Sequence, residues 1–167
     1  MRKGVIRVLL AALMCMIMLV GCSQGEATSQ DKKNTVLPID VAGIEELMRM
    51  QDCPAMLVAM ASWCAPCREE LPILQRMHEK YKDKGLRIIG ISLDIGGPSA
   101  MQPLVDQIGL DFPVYWGGKE VTVKYRISAI PLTYIVKNGK IVEKILGGRG
   151  EAFIEGKIVS LLGECEK

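Results

Sequence analysis

Two cysteines separated by two residues are the feature that most constrains this chain. Cys64 and Cys67 follow a short apolar run, residues 55–61, and precede a helical pattern of apolar side chains. The apolar run predicts a buried strand. A strand that delivers a cysteine to a helix N-terminus yields a reactive thiol, because free N–H groups and the helix dipole stabilise the thiolate there. Pro66 suits the first turn, where no hydrogen bond is lost, and we predict a redox-active Cys64–Cys67 disulfide.

A cysteine pair can also be half of a zinc site or a structural disulfide. A zinc site needs a second pair of ligands, but His78 is the only histidine, and Cys53 and Cys165 stand alone in the sequence. A structural disulfide would not need Trp63 and Pro66 beside it. We therefore expect no metal and no cofactor.

Residues 63–67 read Trp-Cys-Ala-Pro-Cys, and they resemble the active site of the thioredoxin superfamily. The continuation Glu-Leu-Pro at 70–72 and the pair Ile130-Pro131 are similar to its membrane-tethered TlpA/ResA-like branch. The resemblance covers residues 41–162. It implies an α/β, thioredoxin-like fold, in which a central mixed sheet is flanked by helices and a family insertion separates a β-α-β half from a β-β-α half.

The hydrophobic pattern of the remaining chain agrees with such an arrangement. A strong hairpin signal, Asn138-Gly139, separates the last two predicted strands. Apolar runs predict strands at 55–61, 86–93, 112–115 (a short edge strand), 132–137 and 140–146, and helical spacing predicts helices at 41–48, 71–81, 101–108, 120–126 and from 150 onward.

Residues 1–21 are predicted to be an export signal. Three basic residues open the segment, and residues 8–20 form an apolar core shorter than the about 20 residues of a membrane span. The core ends in Leu-Val-Gly-Cys at 19–22, which resembles the lipobox of bacterial lipoproteins, where the cysteine is lipidated and becomes the first mature residue. We predict lipidation of Cys22. An ordinary cleaved signal and a short uncleaved anchor are the alternatives.

Residues 22–37 are predicted to be the lipidated cysteine and a flexible tether, and residues 38–167 the thioredoxin-like domain. The formal net charge is +2, but three cations lie in the predicted signal, which leaves the mature chain at −1. Such a balance predicts no surface for nucleic acid. We expect a membrane-anchored protein on the extracytoplasmic side (the periplasm of a cell with two membranes), where disulfides persist.

Thiol chemistry assigns a role to each cysteine of the pair. The Cys64 thiolate attacks a substrate disulfide, and Cys67 resolves the mixed disulfide that forms. We therefore expect Cys64 to be exposed and Cys67 to be protected. Thioredoxins carry a buried acid six residues before the first cysteine, but this position is Val58 here. The resemblance implies that Glu70 exchanges protons with the pair instead, and a solvated surface acid like Glu69 is the alternative.

The resemblance also implies a substrate-binding surface beside the cysteines. In the family a cis proline faces the pair, and the backbone next to it binds the substrate. Ile130 and Pro131 match that position at the head of a predicted strand, where proline is tolerated. Trp63 is expected to shield one side of the site, or else to be a core side chain.

Cys53 and Cys165 are left over once Cys15 and Cys22 are assigned to the signal and the lipid. In an oxidising compartment they form a second disulfide, stay free as buried thiols, or act as an auxiliary redox pair.

The function we predict is reduction of disulfides in exported proteins, and similar tethered proteins act on apocytochrome c. A membrane electron donor of the thiol-transporting type would supply the electrons. Only Ala65 and Pro66 lie between the cysteines, with no side chain that stabilises a thiolate, which favours a reductant.

A disulfide-forming oxidant or isomerase, and a redox-regulated binding lipoprotein without turnover, are the alternatives. Copper chaperones of a related fold have three residues between the cysteines, and a thiol peroxidase needs Thr or Ser at Ala61, so both are disfavoured.

Overall fold

The structure is a computed structural model that describes residues 34–50, 53–163 and 165. All of them belong to one compact unit, Lys33–Lys167. The predicted export signal, Cys22 and the tether up to residue 33 lie outside the described residues.

The described chain contains five helices and six strands. The strands are β1 (Leu37–Pro38), β2 (Ala55–Met60), β3 (Arg87–Ser92), β4 (Val114–Trp116), β5 (Leu132–Lys137) and β6 (Lys140–Leu146). The helices are α1 (Val41–Arg49), α2 (Ala65–Tyr81), α3 (Pro98–Ile108), α4 (Lys119–Lys124) and α5 (Glu151–Leu162), and a 3₁₀ turn, Lys82–Lys84, follows α2.

The six strands form one mixed sheet in the order β1-β4-β3-β2-β5-β6. Strands β1 to β4 are parallel to one another, whereas β5 runs antiparallel to β2 and β6 antiparallel to β5. The β-α-β half is therefore followed by a β-β-α half, and the predicted fold class is confirmed.

Strand β2 lies at the centre of the sheet, and all six of its residues are buried. Its alternate side chains enter the two apolar cores on the two faces of the sheet. Met56, Val58 and Met60 pack with residues of α2, α3 and α5, and the small side chains of Ala55 and Ala59 pack with residues of α1 and α4. Burial on both faces explains why β2 reads as a continuous apolar run, and it fixes the strand that leads to Cys64.

The short strand β1 was not predicted, and it changes the place of β4 in the sheet. The sequence predicts β4 as an edge strand, but Leu37 and Pro38 pair with it in parallel, at Tyr115 and Trp116. The prediction is therefore wrong in this detail, because a two-residue strand is too short to produce a hydrophobic period.

Residues before the predicted domain boundary at Pro38 already pack on the domain. The Asn34 side chain donates hydrogen bonds to the carbonyl groups of Leu110 and Phe112 at 2.9 and 2.7 Å. Val36 is buried, and its N–H donates to Gln102 at 2.8 Å. The folded region thus begins by Asn34 rather than at Pro38. Among the described helices, none has the length and apolarity that crossing a bilayer requires.

Candidate active site

Cys64 lies where the chain leaves β2 and enters α2, and it is the N-cap of that helix. Its Sγ accepts a hydrogen bond from the N–H of Cys67 at 3.3 Å, and its carbonyl accepts one from Arg68 at 3.1 Å. Pro66 lies in the first turn, as predicted. The N–H of Cys67 and the positive end of the helix dipole therefore face the Cys64 sulfur, which is an environment that favours a thiolate.

Cys64 and Cys67 are joined by a disulfide in the structure, with their Cα atoms 5.3 Å apart. Both residues belong to the apolar core that α2 covers. Cys67 is 1% exposed, in agreement with the expected protection. Cys64 is only 5% exposed, so the expectation of an exposed Cys64 is wrong for the disulfide form. The cause is its location at the end of the central strand β2, where Cys64 belongs to the apolar core.

Glu70 lies one helical turn beyond Cys67 and is 5% exposed, whereas its neighbour Glu69 is exposed. Its Oε1 accepts a hydrogen bond of 2.9 Å from the backbone N–H of Arg149. Burial raises the pKa of the Glu70 carboxyl, and the hydrogen bond from Arg149 opposes part of that rise. Glu70 is therefore desolvated, and the structure does not support the alternative of a solvated surface acid.

A cleft of about 290 Å³ lies between the start of α2 and the loop that joins β6 to α5. Pro66 and Glu70 line it from the helix, and residues 148–150 line it from the loop. Pro66, which stands between the two cysteines in the sequence, and Glu70 thus line the same cleft.

Gly148, in the loop between β6 and α5, lies near both Pro66 and Pro131. A Cβ atom built on Gly148 would lie 3.5 Å from the Cβ of Pro66 and 3.9 Å from the Cγ of Pro131. The N–H of Gly147 donates to the Pro131 carbonyl at 2.8 Å, and the Ile130–Pro131 peptide bond is cis. Ile130 is partly buried against both apolar cores. Ile130 and Pro131 therefore lie at the end of the sheet where the cysteines lie.

Trp63 is 65% exposed, so it is not the core side chain that the sequence left open as an alternative. Ile95, in the loop after β3, is 97% exposed. Both loops follow the carboxyl ends of adjacent parallel strands. Exposed apolar side chains therefore lie at the carboxyl ends of β2 and β3, the end of the sheet at which Cys64 lies.

Sequence reasoning missed Asp94. This residue follows β3, is 2% exposed, and accepts hydrogen bonds from the backbone N–H and the hydroxyl of Ser62. In the sequence it precedes Ile95, Gly96 and Gly97 and looks like an ordinary turn residue. Only the parallel pairing of β2 with β3 brings it to the segment before Cys64.

The structure joins Cys53 and Cys165 by a disulfide, with a Cα–Cα distance of 5.1 Å and a sequence separation of 112. This is one of the states that the sequence left open. Cys53 precedes β2, and Cys165 follows α5.

Within residues 34–50, 53–163 and 165, no group of three His, Cys, Asp or Glu side chains is placed to hold a metal ion. His78 is mostly buried on α2, with its Nε2 3.4 Å from Asp111 Oδ1. Burial lowers the pKa of His78, and the charge of Asp111 opposes this effect.

The fold and the cysteine pair at the start of α2 together define a thioredoxin-fold protein with a Cys-X-X-Cys site. Residues 33–145 match the AhpC/TSA family. The chain therefore belongs to the AhpC/TSA family, and it is a ResA-like thioredoxin-fold protein, as the resemblance implied.

Two similar proteins carry the name thiol-disulfide oxidoreductase ResA. That of Bacillus thuringiensis (strain Al Hakam) is 33% identical over 113 residues, which are 66% of this chain and 65% of the relative. That of Bacillus subtilis (strain 168) is 27% identical over 159 residues, which are 92% of this chain and 87% of the relative. The first alignment thus spans just under two thirds of the relative's length.

Solved structures support the fold. A thiol:disulfide interchange protein of the thioredoxin family from Chlorobium tepidum TLS superposes with a TM-score of 0.63 at 20% identity. The match covers 77% of this chain and 97% of that protein.

Proposed function

We propose that this protein is a membrane-anchored, extracytoplasmic thiol–disulfide oxidoreductase that reduces disulfides of exported proteins. The observation that carries the proposal is the cysteine pair at the start of α2, with Cys64 as N-cap and Cys67 buried one turn further on. The ResA name of the relatives supports the same class of reaction.

The reaction consists of two thiol–disulfide exchanges. In the reduced protein, the Cys64 thiolate attacks one sulfur of a substrate disulfide, and the other substrate sulfur leaves as a thiolate. The Cys67 thiolate then attacks the Cys64 sulfur of the mixed disulfide. The second substrate thiolate leaves, and Cys64 and Cys67 end as the disulfide that the structure contains. Two electrons pass to the substrate, and a membrane donor of the thiol-transporting type restores the dithiol.

Glu70 is proposed to exchange the proton of the cysteine pair. A carboxyl whose pKa is raised by burial can hold a proton closer to neutral pH than a solvated acid. It can therefore take the proton that Cys67 must lose before the second exchange and return it through the cleft beside Pro66.

The substrate is proposed to bind over Trp63, Ile130 and the backbone at Pro131. The exposure of Trp63 and the location of Pro131 near Pro66 support this assignment. Exported proteins, apocytochrome c among them, are the proposed substrates, and lipidation of Cys22 would hold the domain near the membrane.

Reduction is the favoured direction because no side chain between the cysteines stabilises the Cys64 thiolate. Ala65 and Pro66 leave only backbone N–H groups and the helix dipole for that purpose. A less stabilised thiolate gives a lower reduction potential.

The reduction potential of the Cys64–Cys67 pair, measured in defined glutathione buffers, tests this direction. A value near that of thioredoxin, about −270 mV, would support a reductant, and a value near about −120 mV would identify a disulfide-forming oxidant. Turnover of insulin disulfides with a chemical donor distinguishes an enzyme from a binding lipoprotein, which would bind its partner without turnover.

A further inference from the structure

Asp94 is a buried carboxylate beside the segment that leads to Cys64. Its two oxygens lie 3.2 and 3.1 Å from the backbone nitrogen of Ser62, and its Oδ1 accepts the Ser62 hydroxyl at 2.6 Å. Its Oδ2 accepts the Ser92 hydroxyl at 2.8 Å. Three donor groups, one N–H and two hydroxyls, thus converge on the Asp94 carboxylate.

The backbone around Asp94 is held by two neighbouring strands. Its carbonyl accepts the indole N–H of Trp116 at 2.7 Å. The N–H of the preceding residue, Leu93, donates to the carbonyl of Met60, the last residue of β2, at 2.8 Å. Asp94 is thus fixed to β2 and β4, and it can hold the turn at Ser62 in one position.

That turn leads directly to the reactive sulfur. Ser62 and Trp63 form a turn in which the N–H of Cys64 donates to the carbonyl of Ala61 at 3.2 Å. Two residues span at most about 7 Å, so the Asp94 charge lies within roughly 10 Å of the Cys64 backbone.

Within the described residues, neutral hydrogen-bonding groups rather than an ion pair surround Asp94. Among the ion pairs of the described residues, none involves Asp94, and its hydrogen-bond partners are neutral groups. Arg68 and Glu69, which are also near Cys64 in the sequence, are exposed and therefore screened by solvent. A buried charge is screened much less.

We propose that Asp94 is a positioning residue that holds the turn before Cys64 and, through its buried negative charge, makes the Cys64–Cys67 pair more reducing. The negative charge opposes formation of the Cys64 thiolate. The disulfide and the neutral dithiol carry no charge on sulfur, so the effect falls on the thiolate form of the reduced protein. The equilibrium therefore shifts toward the disulfide at any pH at which Cys64 is ionised in the reduced protein. The inference rests on the proposed function only in taking this pair as the redox site.

The test is the equilibrium with glutathione, in which protein disulfide and two glutathione thiols give protein dithiol and glutathione disulfide. Asp94→Asn removes the charge and keeps the shape. At an effective dielectric of about 20, one charge at this distance changes an equilibrium roughly tenfold. We expect a shift of this size toward the dithiol, which corresponds to about 30 mV.

Two matched variants separate charge from other effects. Asp83→Asn removes a negative charge from the exposed 3₁₀ turn and should leave the equilibrium unchanged. Ser62→Ala removes one hydrogen bond to Asp94 but keeps the charge, so its shift should be clearly smaller than that of Asp94→Asn. The proposal would be overturned if the equilibrium constant of Asp94→Asn equalled that of Asp83→Asn, or if it shifted toward the disulfide. It would also be overturned if Ser62→Ala shifted the equilibrium as much as Asp94→Asn.

Two further measurements apply if Asp94→Asn does not fold. Asp94→Ser removes the same charge, retains a hydroxyl that can accept a hydrogen bond, and should shift the equilibrium in the same direction. In the unaltered protein, the Ser62 amide proton should exchange as slowly as the strand amides of β2, and fast exchange would contradict the positioning role. The glutathione equilibrium reads the cysteine pair directly, so it gives a result even if the protein reduces no protein substrate.

Discussion

The two disulfides of this protein lie at opposite ends of the same strand. Cys53 precedes β2 and pairs with Cys165, 112 positions away, whereas Cys64 follows β2 and pairs with Cys67, three positions away. The first bond connects the start of the central strand to the end of α5. The second lies at the N-terminus of α2 and connects that helix only to its own cap.

The two disulfides have different roles because they differ in loop size and in location. A disulfide stabilises a fold mainly by restricting the unfolded chain, and the effect grows with the size of the closed loop. The Cys64–Cys67 loop is too small to restrict much of the chain, but its sulfur at a helix N-terminus is activated for exchange. We infer that Cys53–Cys165 stabilises the domain and that Cys64–Cys67 reacts.

The largest expected effect is the loss of turnover in Cys64→Ser. Without the attacking thiolate, reduction of insulin should fall at least about a thousandfold, to background. Cys67→Ser should instead accumulate a mixed disulfide through Cys64, because the resolving thiol is gone, and mass spectrometry detects this species. The double variant Cys53→Ser/Cys165→Ser is the control and should keep its rate. A control that stayed folded by circular dichroism and still lost turnover would show that the second disulfide takes part in the chemistry.

The second prediction concerns stability and reverses the order of the two bonds. Removing Cys53–Cys165 with serines should lower the free energy of unfolding by about 5 kcal/mol, and removing Cys64–Cys67 by only about 2 kcal/mol, since the loop-entropy relation scales with loop length. Urea unfolding under oxidising conditions measures both losses. Equal losses would contradict the division between a stabilising and a reacting bond.

The third prediction concerns Glu70, which lies near the Cys64–Cys67 disulfide. Glu70→Gln should slow insulin reduction at neutral pH by roughly a hundredfold, as expected for loss of a general acid–base group. Glu69→Gln, one position away and exposed, is the matched control and should retain the wild-type rate. A Glu70→Gln rate equal to that of the control would remove Glu70 from the mechanism.

The raised pKa of Glu70 also predicts how stability depends on pH. Burial places the folded-state pKa above the unfolded value, so the neutral acid is favoured by folding and the ionised form opposes it. This contribution is fully present below the unfolded pKa of about 4.3 and is lost as the pH rises through the folded-state pKa. Glu70→Gln lacks the titration, so its stability relative to wild type should rise over that interval in urea unfolding series.

The fold and the Cys64–Cys67 site could be predicted largely from the sequence, because the sequence patterns that indicate them are local. The apolar run of β2, the cysteine spacing and the Asn138-Gly139 hairpin are each contained in a few neighbouring residues. The hairpin strands have the predicted bounds, Leu132–Lys137 and Lys140–Leu146.

The features that could not be predicted from the sequence depend on contacts between distant segments. Asp94 acts on Ser62, 32 positions earlier, through the pairing of β2 with β3. Strand β1 has two residues and exists only because β4 pairs with it. Glu70 could be named as a candidate acid from its position, but its burial depends on the loop that carries Arg149 and on residues of α5 that line the same cavity.

The smallest expected effect is at Trp63, and it tests whether only the Cys64 end contacts substrate. Trp63→Ala should raise the KM for a protein substrate roughly three- to tenfold, since an exposed aromatic side chain that is buried on binding contributes about 1 kcal/mol. Its glutathione equilibrium should not change, because glutathione is too small to need this surface. Val159→Ala removes an exposed apolar side chain on α5 and should leave KM unchanged. If Trp63→Ala shifted the glutathione equilibrium and KM together, Trp63 would act on the sulfur rather than on the substrate, and the surface around Cys64 would have to be assigned to other residues.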